Sequence, residues 1–135
     1  MEETREAARQ NGLVTTWFGR RRWLKGLTGG YQARQEAERM AINTPIQGTA
    51  ADLIKMAMLA VDARLRQAHP SARLIMQVHD ELVLEVPAAE VESVGQLVRA
   101  EMSNVAKAPP LKGARPLDVK LKVDIGHGPN WSSAH

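Results

Sequence analysis

The chain has 135 residues, enough for one domain with a real core, and is 44% hydrophobic but only 4% aromatic. It has no cysteine, which excludes disulfides, thiolate metal sites and cysteine nucleophiles and is compatible with a cytoplasmic location. The formal charge is a modest +3, the longest apolar run (Met56 to Val61) is far too short to span a bilayer, and Met1-Glu2-Glu3-Thr4 has no signal-peptide core, so no membrane partner is expected.

Glu2 to Gln10 reads as a helix stopped by Asn11-Gly12. Leu13 to Phe18 alternates and is β-branched, Gly19 begins a turn, and Arg22 to Leu24 reads as a returning strand. Gly26 to Gly30 reads as a loop. Ala33 to Ile42 has helical composition and is expected to close at Asn43-Thr44-Pro45, because proline disfavours helix in the residue before it. A longer helix follows, from about Ile46 to Gln67. Ala50, Leu53, Ile54, Ala57, Val61 and Leu65 form its main stripe, and Met56, Met58 and Ala60 widen it, so more than one side should be buried. Gly48 costs roughly 1 kcal/mol against alanine within a helix, and its place near the start points to close approach of another backbone.

His69-Pro70-Ser71 ends that helix. Arg73 to Met76 and Leu82 to Val86 then read as strands flanking Gln77-Val78-His79-Asp80-Glu81. A three-residue loop at His79, Asp80 and Glu81 puts Leu74, Met76, Val78, Leu82, Leu84 and Val86 on one face, but offers no glycine for a left-handed position. A two-residue turn at His79-Asp80 puts Val78 opposite Glu81 and mixes the faces. Either register leaves two carboxylates and a histidine at a hairpin tip, a good place to hold a cation. After Pro87, a helix from about Ala89 to Lys107 turns Val91, Val94, Leu97, Val98, Met102 and Val105 inward. Ala108 to Pro116 reads as a loop, and Leu117 to Ile125 as a half-exposed strand broken by Gly126-His127-Gly128-Pro129. Met40, Met56, Met58, Met76 and Met102 are expected to fill core gaps, and His69 and His127 to stand in solvent. The expected class is α+β: a single domain over residues 1–135, whose antiparallel sheet carries the motif-bearing hairpin against two long helices.

Charge is unevenly spread. From Ala7 to Gln35 stand Arg9, Arg20, Arg21, Arg22, Lys25 and Arg34, with no acid among them and with Trp17, Phe18, Trp23 and Tyr31 interleaved. Such a run suits a phosphate backbone with rings for stacking. It also suits a solvated hairpin whose tryptophans cover a core.

Three stretches carry a family resemblance: Phe18-Gly19-Arg20-Arg21-Arg22, then Ala37 to Lys55 (AERMAINTPIQGTAADLIK), then Gln77 to Val86 (QVHDELVLEV). In sequence, order and spacing the chain resembles the C-terminal part of family A DNA polymerases, the bacterial DNA polymerase I type. The ending from Asn130-Trp131 to Ala134-His135 is similar as well. The resemblance implies the last part of the polymerase palm, with an adjoining piece of the fingers over about residues 1–30. It implies that Asp80 holds catalytic Mg2+ and that Glu81 supports it. By the same resemblance, Gln77 and His79 line the primer terminus, and Arg39, Asn43 and Gln47 touch primer–template DNA, Arg39 and Gln47 in the minor groove. Minor-groove acceptors look alike across base pairs, so such contacts check pair geometry and not sequence. Arg20, Arg21 and Arg22 are the expected phosphate contacts.

Two-metal nucleotidyl transfer needs carboxylates on two elements, clamping two ions about 3.5–4 Å apart, and cations for the triphosphate of the incoming deoxynucleotide. In the family, the partner aspartate and the phosphate-binding lysine and arginine come from upstream segments with no counterpart in this sequence. Asp52, Asp62, Asp118 and Asp124 lie outside the motif. The chain alone is therefore expected to be inactive and to need the missing upstream polymerase segment, as one piece of a split enzyme would. The alternative is a non-catalytic duplex-binding module. Lys107 to Ala114 reads as an insertion relative to the family, and Lys120 stands where proline is usual.

Overall fold

Acids open the first helix and a base closes it, as the helix dipole favours: α1 runs Glu2–Asn11, with Glu2 and Glu3 in its first turn and Arg9 in its last. Gly12 ends it in the left-handed region (φ +67°), its N–H donating to the Ala8 carbonyl at 2.8 Å. The computed structural model describes residues 2–107 and 117–135 and divides into two units, residues 2–52 and residues 53–107 with 117–135. The expected loop at Ala108–Pro116 and most of the insertion read at Lys107–Ala114 lie outside the described residues.

In the first unit, β1 (Leu13–Thr15) pairs antiparallel with β2 (Arg21–Trp23), Leu13 opposite Trp23 and Thr15 opposite Arg21. β1 is shorter than the sequence predicts, because Thr16 to Arg20 is used in the turn, and β2 begins one residue earlier than expected with the same length. Gly19 takes φ +88°, and the Thr16 N–H donates to the Arg20 carbonyl at 2.9 Å. The expected loop after Leu24 is a 3-10 turn, Lys25–Thr28. It lies so close to α2 (Tyr31–Asn43) that a Cβ on Gly26 would come 2.7 Å from the Ala33 carbonyl oxygen. Ala8, Val14, Leu24, Leu27, Ala37 and Ala41 form the core, with Met40 against it.

The predicted helix break at Thr44-Pro45 does not occur. Thr44 is helical (φ −60°, ψ −41°), and Thr44–Gly48 form a π-helical turn leading into α3 (Thr49–Ala68). A proline lacks the N–H for a regular helical bond and its ring crowds the carbonyl four residues back. A wider turn removes both conflicts, and such turns recur at functional sites.

The second unit holds residues 53–68 of α3, the hairpin of β3 (Arg73–Val78) and β4 (Glu81–Glu85), and α4 (Val91–Asn104). Val61, Leu65, Ala72, Val94 and Val98 make its core, flanked by Leu82, Leu84, Val86, Leu97 and Met102. Met76, expected in the core, is 39% exposed, and Ala50 of the first unit, expected in the buried stripe, is exposed. Leu117 to Ile125, read as a strand, joins no ladder among the described residues. Its alternation survives only as burial, with Leu121 and Val123 half-buried and Lys122 and Asp124 exposed. Alternation specifies a face, but a strand also needs a partner for its backbone groups. Further on, Gly126 and Gly128 pass beneath a 3-10 turn, Ser132–Ala134, where a Cβ on Gly126 would meet the Ala134 carbonyl oxygen at 2.0 Å.

The class is α+β, as predicted, and the described residues form two separate antiparallel pairs instead of one sheet. Among the described residues no helix is long and apolar enough to cross a membrane.

Candidate active site and nucleic-acid interface

The hairpin adopts the tighter of the two registers, with His79 and Asp80 in the turn and Val78 opposite Glu81. With no glycine available, His79 itself takes the left-handed conformation, φ +53°. That costs a non-glycine residue about 1–2 kcal/mol, and the Gln77 side-chain amide donates to the His79 carbonyl as partial compensation. The mixing of faces does follow from this turn, and a β-bulge between Leu74 and Met76 corrects it. Past the extra residue Ile75, half-buried Leu74 lies opposite Leu84, which packs against the core.

At the tip, Asp80 is exposed, and no ion pair or hydrogen bond to a described side chain engages its carboxylate. Its neighbour is held. His135 Nε2 lies 2.9 and 3.1 Å from the two oxygens of Glu81, while His135 Nδ1 meets the Trp131 carbonyl at 2.9 Å. The Trp131 carbonyl, and then Glu81, raise the His135 pKa above its ordinary value. The Trp131 and His135 rings sit 5.7 Å apart. No group of three or more metal-ligating side chains occurs among the described residues. At the tip, the described residues therefore offer one carboxylate free of other described side chains for a cation, which fits part of a two-ion centre and not the whole.

In the first unit, Arg39 and Asn43 on α2 and Gln47 in the π-helical turn are all exposed. Arg21 is exposed. Arg22 reaches Thr44 Oγ1 at 3.4 Å and Met40 Sδ at 3.6 Å. Arg20 differs from both: its Nε donates to Asp52 Oδ1 at 2.7 Å and its Nη2 to the Gly48 carbonyl at 3.3 Å. Trp23 and Tyr31 are 65% and 77% exposed beside this basic surface.

Several roles escaped sequence reasoning. His69, expected in solvent, is half-buried with its Nδ1 2.8 Å from Glu90 Oε1. Asp52 is buried beneath the basic hairpin, and its signal was available, since it stands four residues after Gly48 on the helix that follows the basic run. For His135 no local signal exists, because its partner is on a distant hairpin.

Residues 1–133 match DNA polymerase family A. The chain is 46% identical over 130 residues to DNA polymerase I of Mycobacterium leprae (strain TN), an alignment covering 96% of this chain and 13% of that protein. It is 45% identical over 135 residues to DNA polymerase I of Bacillus subtilis (strain 168), covering 99% of this chain and 14% of that protein. In three dimensions it is similar to the POL domain of Pol1 from M. smegmatis, in complex with DNA primer-template and dNTP. The TM-score is 0.85 at 43% identity, over 98% of this chain and 22% of that one. The chain thus spans 13–14% of the length of these curated relatives.

Proposed function

Since the chain belongs to DNA polymerase family A, we propose that it supplies one metal-binding carboxylate and a set of primer–template contacts to template-directed nucleotidyl transfer. The observation that carries this reading is the Asp80 carboxylate, exposed and engaged by no described side chain at the tip of a tightly registered hairpin. A carboxylate already locked to an arginine would have to break that pair before accepting a cation. Asp80 takes the metal-ligand role, and Glu81, oriented by His135, supports it. Gln77 and His79 flank the primer terminus. Arg39, Asn43 and Gln47 face the duplex, and Arg21 and Arg22 its phosphates. Residues from about 31 onward belong to the palm, and those before them to the fingers.

Bound Mg2+ would stabilise charge on the reacting phosphate and activate the primer hydroxyl. Magnesium keeps several waters and relies on substrate phosphates to complete its shell, so Asp80 alone holds it weakly. The second aspartate and the triphosphate-binding cations come from an upstream polymerase segment. The test is reconstitution. The 135-residue chain should not extend a primer by itself, and adding the upstream polymerase segment in trans should restore template-dependent incorporation that Asp80→Ala abolishes. Incorporation that survives Asp80→Ala, or extension by the pure chain alone, would overturn the assignment.

A further inference from the structure

Gln47 sits in the π-helical turn Thr44–Gly48, a rare form met mostly as single turns at functional sites. Pro45 has no N–H to donate within it. Yet the residues around Gln47 are tied from outside. The Trp17 N–H donates to Thr49 Oγ1 at 2.9 Å, and Thr49 Oγ1 donates in turn to the Pro45 carbonyl. Arg20 Nη2 donates to the Gly48 carbonyl at 3.3 Å. Thr16 Cγ2 fills the space beside Gly48, 2.7 Å from where a Cβ would stand. Apart from the Thr49–Pro45 bond, these ties come from the tip of the β1–β2 hairpin, residues 16–20.

That tip is itself locked by one buried carboxylate. Asp52, 8% exposed, accepts from Thr16 Oγ1 at 2.6 Å and from Arg20 Nε at 2.7 Å. Thr16 Oγ1 also accepts from the Arg20 N–H at 3.2 Å. Asp52 lies four residues beyond Gly48, so the ties close a ring from helix to hairpin tip and back to the turn that bears Gln47. The apolar core of the unit, from Ala8 to Ala41, includes none of these groups. Its ion pair with a buried carboxylate sets Arg20 apart from Arg21 and Arg22.

We infer that Asp52, with Thr16 and Arg20, forms a positioning unit that fixes Gln47 for reading the minor groove of a bound duplex. The inference rests on the proposed duplex contact of Gln47 and adds the residues that give it precision. Hydrogen-bond readout demands placement to within about 0.5 Å, whereas phosphate attraction does not.

The experiment measures binding of the 135-residue chain to primer–template DNA at low salt. The terminal primer base is guanine or 3-deazaguanine, which lacks the minor-groove N3 acceptor. The wild-type chain should bind the deaza duplex about fivefold more weakly, and Gln47→Ala should bring that ratio to one. Asp52→Asn and Thr16→Val, with folding verified by circular dichroism, should keep the affinity for the deaza duplex while their ratio falls toward one. Thr16→Ser, which keeps the hydroxyl, should retain the wild-type ratio. If Gln47→Ala abolishes the ratio while Asp52→Asn or Thr16→Val leaves it intact, the positioning role is wrong and the duplex contact stands. A wild-type ratio of one, or a ratio unaffected by Gln47→Ala, removes the duplex contact and the inference with it.

Discussion

Gly48→Ala should destabilise the first unit even though alanine is the better helix former. A Cβ at this position would stand 2.7 Å from Thr16 Cγ2, with Thr44 Cγ2 and Arg20 Nη2 next at 3.5 Å. Thr16 cannot rotate away freely, because its hydroxyl is held 2.6 Å from Asp52 Oδ2. If it rotates, a hydrogen bond to a buried charge is lost, at about 1.5–3 kcal/mol. If it stays, overpacking costs about 1–3 kcal/mol. The helix gain of about 1 kcal/mol offsets part of either, leaving a net loss centred near 1 kcal/mol and reaching about 2. The double variant gives a sharper test. Thr16→Ser removes the clashing methyl and keeps the hydroxyl, so Thr16→Ser with Gly48→Ala moves one methyl from the hairpin to the helix. The pair should lie within about 1 kcal/mol of wild type, a strong favourable coupling between contacting sites. Urea unfolding of the four proteins measures this, with amide exchange over residues 44–52 to isolate the first unit. A Gly48→Ala chain as stable as wild type, or additive losses in the double variant, would refute the packing argument.

Asp80→Ala should change unfolding free energy by less than about 0.5 kcal/mol, since nothing described engages that carboxylate; a clear loss in a urea melt would make the residue structural. Binding to primer–template DNA should be weak and should fall steeply with salt as counterions are released; a titration insensitive to ionic strength would exclude the basic surface as its source. The His135 pKa is raised first by the Trp131 carbonyl and then by Glu81. The clasp on Glu81 is therefore at full strength below the ordinary histidine value of about 6.5 and is lost as pH rises through the raised folded value. An NMR titration should show a raised midpoint that drops only partway in Glu81→Gln, because the Trp131 contact remains; an unchanged midpoint would count against the pair.

The hairpin motif, both long helices and the stop at Gly12 were legible because each rests on neighbours in sequence. The choice between turn lengths at His79 was not, because the bulge at Ile75 that makes the tight turn workable lies several residues away from it. At Pro45 a sound local rule was overridden by ties from residues 16–20, which no reading of residues 43–46 contains. Leu117 to Ile125 shows the opposite limit, since its pattern records which side is buried and nothing about what pairs with it. Long matching motifs single out Asp80 and Gln47 as candidates, whereas Asp52 and His135 engage through contacts that only the folded chain brings together.

A hairpin of strictly regular alternation has a single parity, so the side chains at its tip are dictated by whatever its far end must bury. The additional residue at Ile75 breaks that dependence. On one side of it positions count from Leu74 and Leu84; on the other they count from Val78 and Glu81. Polar residues at the tip can take the odd or even places their chemistry demands while leucine still meets leucine below. The two ends can therefore change independently. Straightening the bulge at full length would set Ile75 opposite Leu84 and Leu74 opposite Glu85 without altering a residue of the tip, and one residue added to the turn would displace Asp80 while leaving Leu74 in place.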